Sequence, residues 1–226
     1  MRKRDLVEKY ELLKGDTIIE NGRTLYRVKA LMSFDDVKEG DLGGYIESED
    51  NLSHFGNCWI YHNAKVYGNA KIHDNAKIYG FAEVFDDAQV FGDAKIYGFA
   101  EVFDDAKIHD NAKIHDNAKI YGFAEVFDDA KIHDNAKIYG FAEVFGDAQV
   151  FDDAKIHGNA KVFGDAQVFG DAQVFGNAKV FGDARVCGDA QVFGDARVCG
   201  DASISKGNII GKVSKNYEGI IQIQCE

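Results

Sequence analysis

The sequence predicts an all-β chain: a single-stranded parallel β-helix, built as a triangular solenoid of about eight coils with a cap at each end. Three observations carry that expectation. Alanine stands at every sixth residue from Ala64 to Ala202, 24 times in succession. Valine or isoleucine stands two residues after each alanine, in a series of 25 that runs from Ile60 to Ile204. Glycine, asparagine and aspartate fill most of the two positions that close each unit. A short, unbroken period of this kind marks a repeat architecture.

The unit reads Ala, then Lys/Gln/Glu/Arg, then Val/Ile, then Phe/Tyr/His, then Gly/Asp, then Asn/Asp/Phe in nearly every copy. Side chains alternate across a strand, so Ala and Val/Ile point one way and the charged residue and the aromatic point the other. The last two positions hold residues that tolerate a left-handed backbone. Each hexapeptide is therefore a four-residue strand and a two-residue corner. Phenylalanine takes the second corner position only at Phe81, Phe99, Phe123 and Phe141, and each follows a glycine that absorbs the corner's backbone angle. A strand this short cannot bury its inner face alone, and stacked coils of three hexapeptides solve that. At ~4.8 Å per coil, eight coils make a rod roughly 40 Å long.

Some copies are identical. Ala-Lys-Ile-Tyr-Gly-Phe-Ala-Glu-Val-Phe begins at Ala76, Ala94, Ala118 and Ala136. The offsets of 18, 24 and 18 are all multiples of six, but 24 is not a multiple of 18. The hexapeptide is thus the duplicated unit, and the three faces are nearly interchangeable. That argues against one precise site built on one face.

Residues 1–59 form an N-terminal cap, 60–205 the repeat and 206–226 a C-terminal cap. In the first cap, residues 17–20, Asn21-Gly22 and residues 23–28 read as a β-hairpin with a type I′ turn. Asp41-Leu42-Gly43-Gly44-Tyr45-Ile46 reads as a turn and strand leading into the first coil. Ile220-Ile221-Gln222-Ile223 reads as a closing strand. Capping is expected because an open solenoid end is an unpaired sheet edge. A partner-binding N-terminal module is the rival role.

The composition bounds the function. A formal net charge of -12, from 38 acidic and 26 basic residues, argues against direct nucleic-acid binding and against an anionic membrane surface. No stretch reaches the roughly 18 apolar residues of a membrane helix. Met1-Arg2-Lys3-Arg4 is followed by Asp5-Leu6-Val7-Glu8-Lys9 rather than by an apolar run, so no signal peptide is expected and the cytoplasm is the expected compartment. Cys58, Cys187, Cys199 and Cys225 lack metal-type spacing and read as free thiols.

The repeat resembles the bacterial-transferase hexapeptide-repeat family, whose motif is an aliphatic residue with a small residue four positions later. Val66 with Ala70 and Ile72 with Ala76 fit it, as do the units that follow. The resemblance implies a left-handed β-helix and often a trimer. For the enzymes of the family it implies acyl transfer, with a loop ejected from the coils and a catalytic histidine at a subunit interface. This chain departs from them: its register is uninterrupted from Ile60 to Ile204, and an aromatic replaces the small residue after the aliphatic. The lead-in is similar to that of YdcK-type proteins of bacteria and their prophages. It comprises Asp36-Val37-Lys38-Glu39-Gly40-Asp41-Leu42-Gly43-Gly44-Tyr45-Ile46, Glu49-Asp50-Asn51-Leu52-Ser53 and Asn57-Cys58-Trp59-Ile60-Tyr61. That resemblance implies the fold and a bacterial or prophage source.

Residues 18 apart should stack. One outward column then holds Tyr67, Phe85, Phe103, Tyr121, Tyr139, His157, Phe175 and Phe193, and another contains Phe127, Phe145, Phe163 and Phe181. Either these ladders stabilise the stacked strands, or they form exposed apolar patches that bind a partner or a second copy. His73, His109, His115, His133 and His157 occupy the same slot without three converging imidazoles, so no metal is expected.

Asp86, Asp87, Asp104, Asp105, Asp128, Asp129, Asp152 and Asp153 are corner residues and would form acidic ridges. Turn preference and solubility account for them; calcium binding and mimicry of DNA phosphates are the functional alternatives. No phosphate-binding glycine loop, Ser-His-Asp arrangement or cofactor motif occurs. The expected function is a non-catalytic structural or protein-interaction rod that binds a protein partner or itself, as a homodimer or homotrimer. An acyltransferase at a trimer interface and a phage counter-defence protein with DNA-like acidic ridges are the alternatives.

Overall fold

The computed structural model describes residues 8–214, and they form a triangular parallel β-helix. β1 (Tyr10–Glu20) and β2 (Arg23–Ala30) make an antiparallel hairpin. Asn21 (φ 48°) and Gly22 (φ 78°) both lie at positive φ at its tip, as a type I′ turn requires. β3 (Leu42–Ile46) pairs antiparallel with β2 on one side. On its other side it pairs parallel with β5 (Lys65–Val66). Gly43 and Gly44 permit this double role. A Cβ at Gly43 would lie 2.4 Å from Val28 Cγ2, and one at Gly44 would lie 2.3 Å from the carbonyl oxygen of Ala64.

From β4 (Trp59–Ile60) to β30 (Lys212–Val213) the strands are pieces of two or three residues. Up to β28 (Ser203–Ile204) each pairs in parallel with the strand 18 residues away, as Lys77–Lys95–Lys113 and Glu83–Glu101–Lys119 do; the last two pairings are closer in sequence, Gln191 with Asn208 and Arg197 with Lys212. The chain therefore turns through three faces. Face I contains Lys65 and Glu83, face II contains Lys71 and Gln89, and face III contains Trp59 and Lys77. Among the described residues, faces II and III hold nine strands each, and face I gains the hairpin and β3 for twelve. The rod thus has about nine turns rather than eight. The additional pairings lie where the alanine signature is missing. At one end β3 and Leu52 pair ahead of the strict repeat; at the other, Asn208–Ile209 and Lys212–Val213 pair beyond it. The expected strand at Ile220–Ile223 lies outside the described residues.

The interior is one continuous column of Ala and Val/Ile side chains, nearly all fully buried. Each buried methylene contributes about 0.8 kcal/mol. At every corner the first residue has positive φ. Glycine does this at Gly80 (φ 75°) and Gly122 (φ 71°), and aspartate does it at Asp104 (φ 57°) and Asp128 (φ 56°). The aspartates gain something in return. Their carboxylates accept the backbone N–H one coil on, Asp104 from Gly122 at 3.1 Å and Asp152 from Gly170 at 3.0 Å. Second-corner residues build a side-chain ladder of their own, as Asn69 donates to Asp87 at 3.0 Å and Asn177 to Asp195 at 3.0 Å.

The N-terminal end of the core is plugged by aromatics. Tyr10 stacks on His54 at 4.2 Å and meets Trp59 edge-on, and Phe34 covers Trp59 from the other side.

Candidate interaction surface

Three columns of rings run along the rod, one per face. On face I the column from Tyr67 to Phe193 stacks with centroids 4.8–5.1 Å apart. On face II it runs from His73 through Phe127, Phe145 and Phe163 to Phe181. On face III, Tyr61, Tyr79, Tyr97 and His115 stack, as do His133, Phe151 and Phe169.

The rings of these ladders are partly covered, in keeping with the first of the two roles weighed for them, the stabilising of stacked strands. Every ring in the first two columns is half-buried except Tyr67, which is only 3 % exposed. Rings stacked face to face cover one another and leave their edges to water. Tyr67 lies under the hairpin, packed with Leu25 and Tyr45, and its hydroxyl accepts from Asn21 Nδ2 at 3.2 Å. Burial pushes the Tyr67 phenol up and holds the His115 and His157 imidazoles below their ordinary value.

The most exposed rings of the coils are the corner phenylalanines. Phe81, Phe99, Phe123 and Phe141 are 50–61 % exposed. Phe81 stacks on Phe99 at 5.2 Å along the edge between faces III and I. Phe123 stacks on Phe141 at 5.0 Å along the edge between faces I and II. The sequence signal was present, since these are the only apolar residues among 24 second-corner positions from 63 to 201, the rest being Asn or Asp.

Each pair borders a charged quartet. Lys65, Glu83, Glu101 and Lys119 follow one another up face I, with Lys65–Glu83 at 2.9 Å and Lys119–Glu101 at 2.8 Å. Lys107, Glu125, Glu143 and Lys161 do the same on face II, with Lys107–Glu125 at 3.1 Å and Lys161–Glu143 at 2.7 Å. These four glutamates are the only ones in the repeat, and each follows a corner phenylalanine by two residues.

The eight aspartates expected to form ridges are all exposed but fall on three edges. Asp86, Asp87, Asp104 and Asp105 lie between faces I and II. Asp128 and Asp129 lie between II and III, and Asp152 and Asp153 between III and I. Asp116, His133 and Asp134 bring three potential metal-ligand atoms within 4.8 Å. His133 Nδ1 and Asp134 Oδ2 are 2.7 Å apart, but His73–Asp74 and His109–Asp110 make the same contact. The contact thus recurs at three of the four His-Asp corners, and Asp116 joins His133 and Asp134 from the coil below. Cys187 and Cys199 lie on faces III and II and are free thiols, like Cys58. The grooves along the edges are open, as where Asn69 and Asp87 face Lys71 and Gln89. Among the described residues, no helix is long and apolar enough to cross a membrane.

Fold and surface together define a hexapeptide-repeat β-solenoid with two matched apolar edges. No family model matches the sequence, and no curated protein is similar to it. Among solved structures, the chain is similar to UDP-N-acetylglucosamine O-acyltransferase (LpxA) from Moraxella catarrhalis RH4. The identity is 15 %, the TM-score is 0.41, and the match covers 71 % of this chain and 66 % of that one. The matched part spans less than two thirds of that protein's length.

Proposed function

We propose that the chain is a non-catalytic interaction rod, bacterial or prophage-encoded, which binds a protein partner or its own copies through its outer surface. The observation that carries this is the exposure of four phenylalanines at corners where the fold is equally well served by Asn or Asp. Apolar rings kept in water without a structural need mark a contact surface. Uninterrupted coils from Trp59 to Ile204 support the same role, because the outward side chains form parallel ladders rather than converging on one point. An acyltransferase of the hexapeptide-repeat class is the competing function.

One measurement in cells and two on the purified full chain separate them. Cross-linking in cells followed by mass spectrometry is expected to join residues of the solenoid surface to another protein or to a second copy. Calorimetry with coenzyme A and a turnover assay with acetyl-coenzyme A are expected to give neither binding nor transfer. Saturable coenzyme A binding with turnover would replace the rod by the enzyme.

A further inference from the structure

The two phenylalanine edges belong to one surface module present twice. Adding 42 to the numbers of Phe81, Phe99, Glu83 and Glu101 gives Phe123, Phe141, Glu125 and Glu143. The same step carries Lys65 and Lys119 to Lys107 and Lys161, and Phe85 and Phe103 to Phe127 and Phe145. All eight residues are identical. Forty-two residues are seven hexapeptides, so the second module sits one face round the rod and two and one-third coils, or ~11 Å, further along. Each module holds the same place on its face, at the edge where the chain enters. The first module has two contacts that the second lacks: Glu20 of the hairpin also reaches Lys65, and the Tyr67 hydroxyl donates to Glu83 at 3.1 Å where the second module has His109.

We propose that each module is a docking point for a second copy of this chain, so that every molecule is bivalent for itself. This deepens the interaction role proposed above and rests on it. The charge distribution favours a like molecule. A chain of net charge -12 repels its copies over most of its surface. Within each quartet that repulsion is offset locally. The corners carry Gly-Phe in place of aspartate, and two lysines balance two glutamates in each quartet.

Apolar rings facing equivalent rings are complementary without any second type of surface. Area sets the strength. Two half-exposed rings offer about 200 Å² per module, against about 800 Å² per partner in a stable complex. One module pair therefore holds weakly, and association is reversible and grows with concentration. Because the two modules face different directions, binding at one leaves the other free, and assembly is not capped at a dimer.

The folded state does not need these rings. Asn117 and Asn135 occupy the same edge as Phe81 and Phe99, with Asn117 donating to Asn135 at 3.3 Å, so phenylalanine-to-asparagine variants keep the corner. The test is light scattering over a concentration series, with circular dichroism confirming each fold. The wild-type mass is expected to rise past 50.0 kDa, twice the 25.0 kDa chain. Phe81→Asn/Phe99→Asn and Phe123→Asn/Phe141→Asn, with one module each, should level off at the dimer. The quadruple variant should stay a monomer.

A second set, Phe99→Lys and Phe141→Lys, should act in the same direction. A quadruple variant with the wild-type mass curve overturns the proposal, and so does a wild type that is monomeric throughout. A monomeric wild type that still cross-links to another protein would sink this inference and leave the interaction rod standing.

Discussion

Lys9 Nζ donates a hydrogen bond to the carbonyl oxygen of Cys58 at 2.9 Å while lying 3.3 Å from its sulfur. It also reaches the carbonyl of Gly56 at 3.4 Å and lies over the Phe34 ring. Both residues are buried, and burial holds the lysine below and the thiol above their ordinary pKa. The first coil has no coil beneath it, so its carbonyls face the cap. The lysine supplies a donor that the missing coil would have given.

Replacing that lysine tests the cap. Lys9→Met keeps the apolar stem and removes the donor, leaving buried carbonyls unsatisfied at about 1–3 kcal/mol. The thermal midpoint should fall. Hydrogen exchange should quicken around Trp59 before it does near Val174, because a solenoid couples mainly to its neighbours. Unchanged exchange at Trp59 would show that the cap does not depend on Lys9.

The interior predicts opposite penalties at its two kinds of position. Ile96→Ala should cost about 2–5 kcal/mol by opening a cavity. Ala100→Leu should cost about 1–3 kcal/mol by overfilling the column. Urea unfolding measures both. A neutral Ala100→Leu would mean that the column has slack.

Corners separate backbone freedom from hydrogen bonding. Gly140 has φ 74°, and a Cβ there would lie 3.1 Å from the nitrogen of Gly158. Gly140→Ala should therefore lower stability by about 1–2 kcal/mol. Asp104→Gly loses the acceptor for Gly122 but relaxes a φ of 57°, and should stay within about 1 kcal/mol of wild type. Thermal melts that rank the two the other way would shift the weight from backbone to carboxylate.

Acid should loosen the ladders at two histidines. Burial depresses the folded pKa of His115, with His133 and Lys113 adding to it against Asp116; burial and Lys155 depress that of His157. The unfolded chain therefore binds more protons just below the ordinary histidine value of about 6.5. Stability is unaffected above that pH and falls as pH drops toward the depressed values. The thermal midpoint should decline between about pH 7 and 5, and His115→Phe/His157→Phe should flatten the decline. A decline of equal size in the double variant would assign it to other groups.

Much of the molecule could be read from Ala64 and Ile60 alone. Their six-residue series gives the inward face and the corners through strand alternation, and coils of three hexapeptides then stack residues 18 apart. The exposure of the rings could not be read that way. Whether Phe85 is open depends on Phe103 lying 4.9 Å above it, and whether Tyr67 is open depends on Leu25 and Asn21, far away in sequence. Phe81 and Phe123 stood out as the odd residues at corners, yet their openness follows from the corner projecting beyond the ladder. Lys9 and Cys58 give no pattern at all, because a cap is made once.

Interchangeable sides also affect how such a chain is inherited. Identical stretches in a gene invite slippage between copies, and here a gain or loss of six codons leaves the core continuous. Three hexapeptides added together lengthen the rod by one coil and leave every face where it was. One hexapeptide added between Phe99 and Phe123 turns everything beyond it by a third of a revolution, so related chains of different length would hold their two phenylalanine edges at different angles.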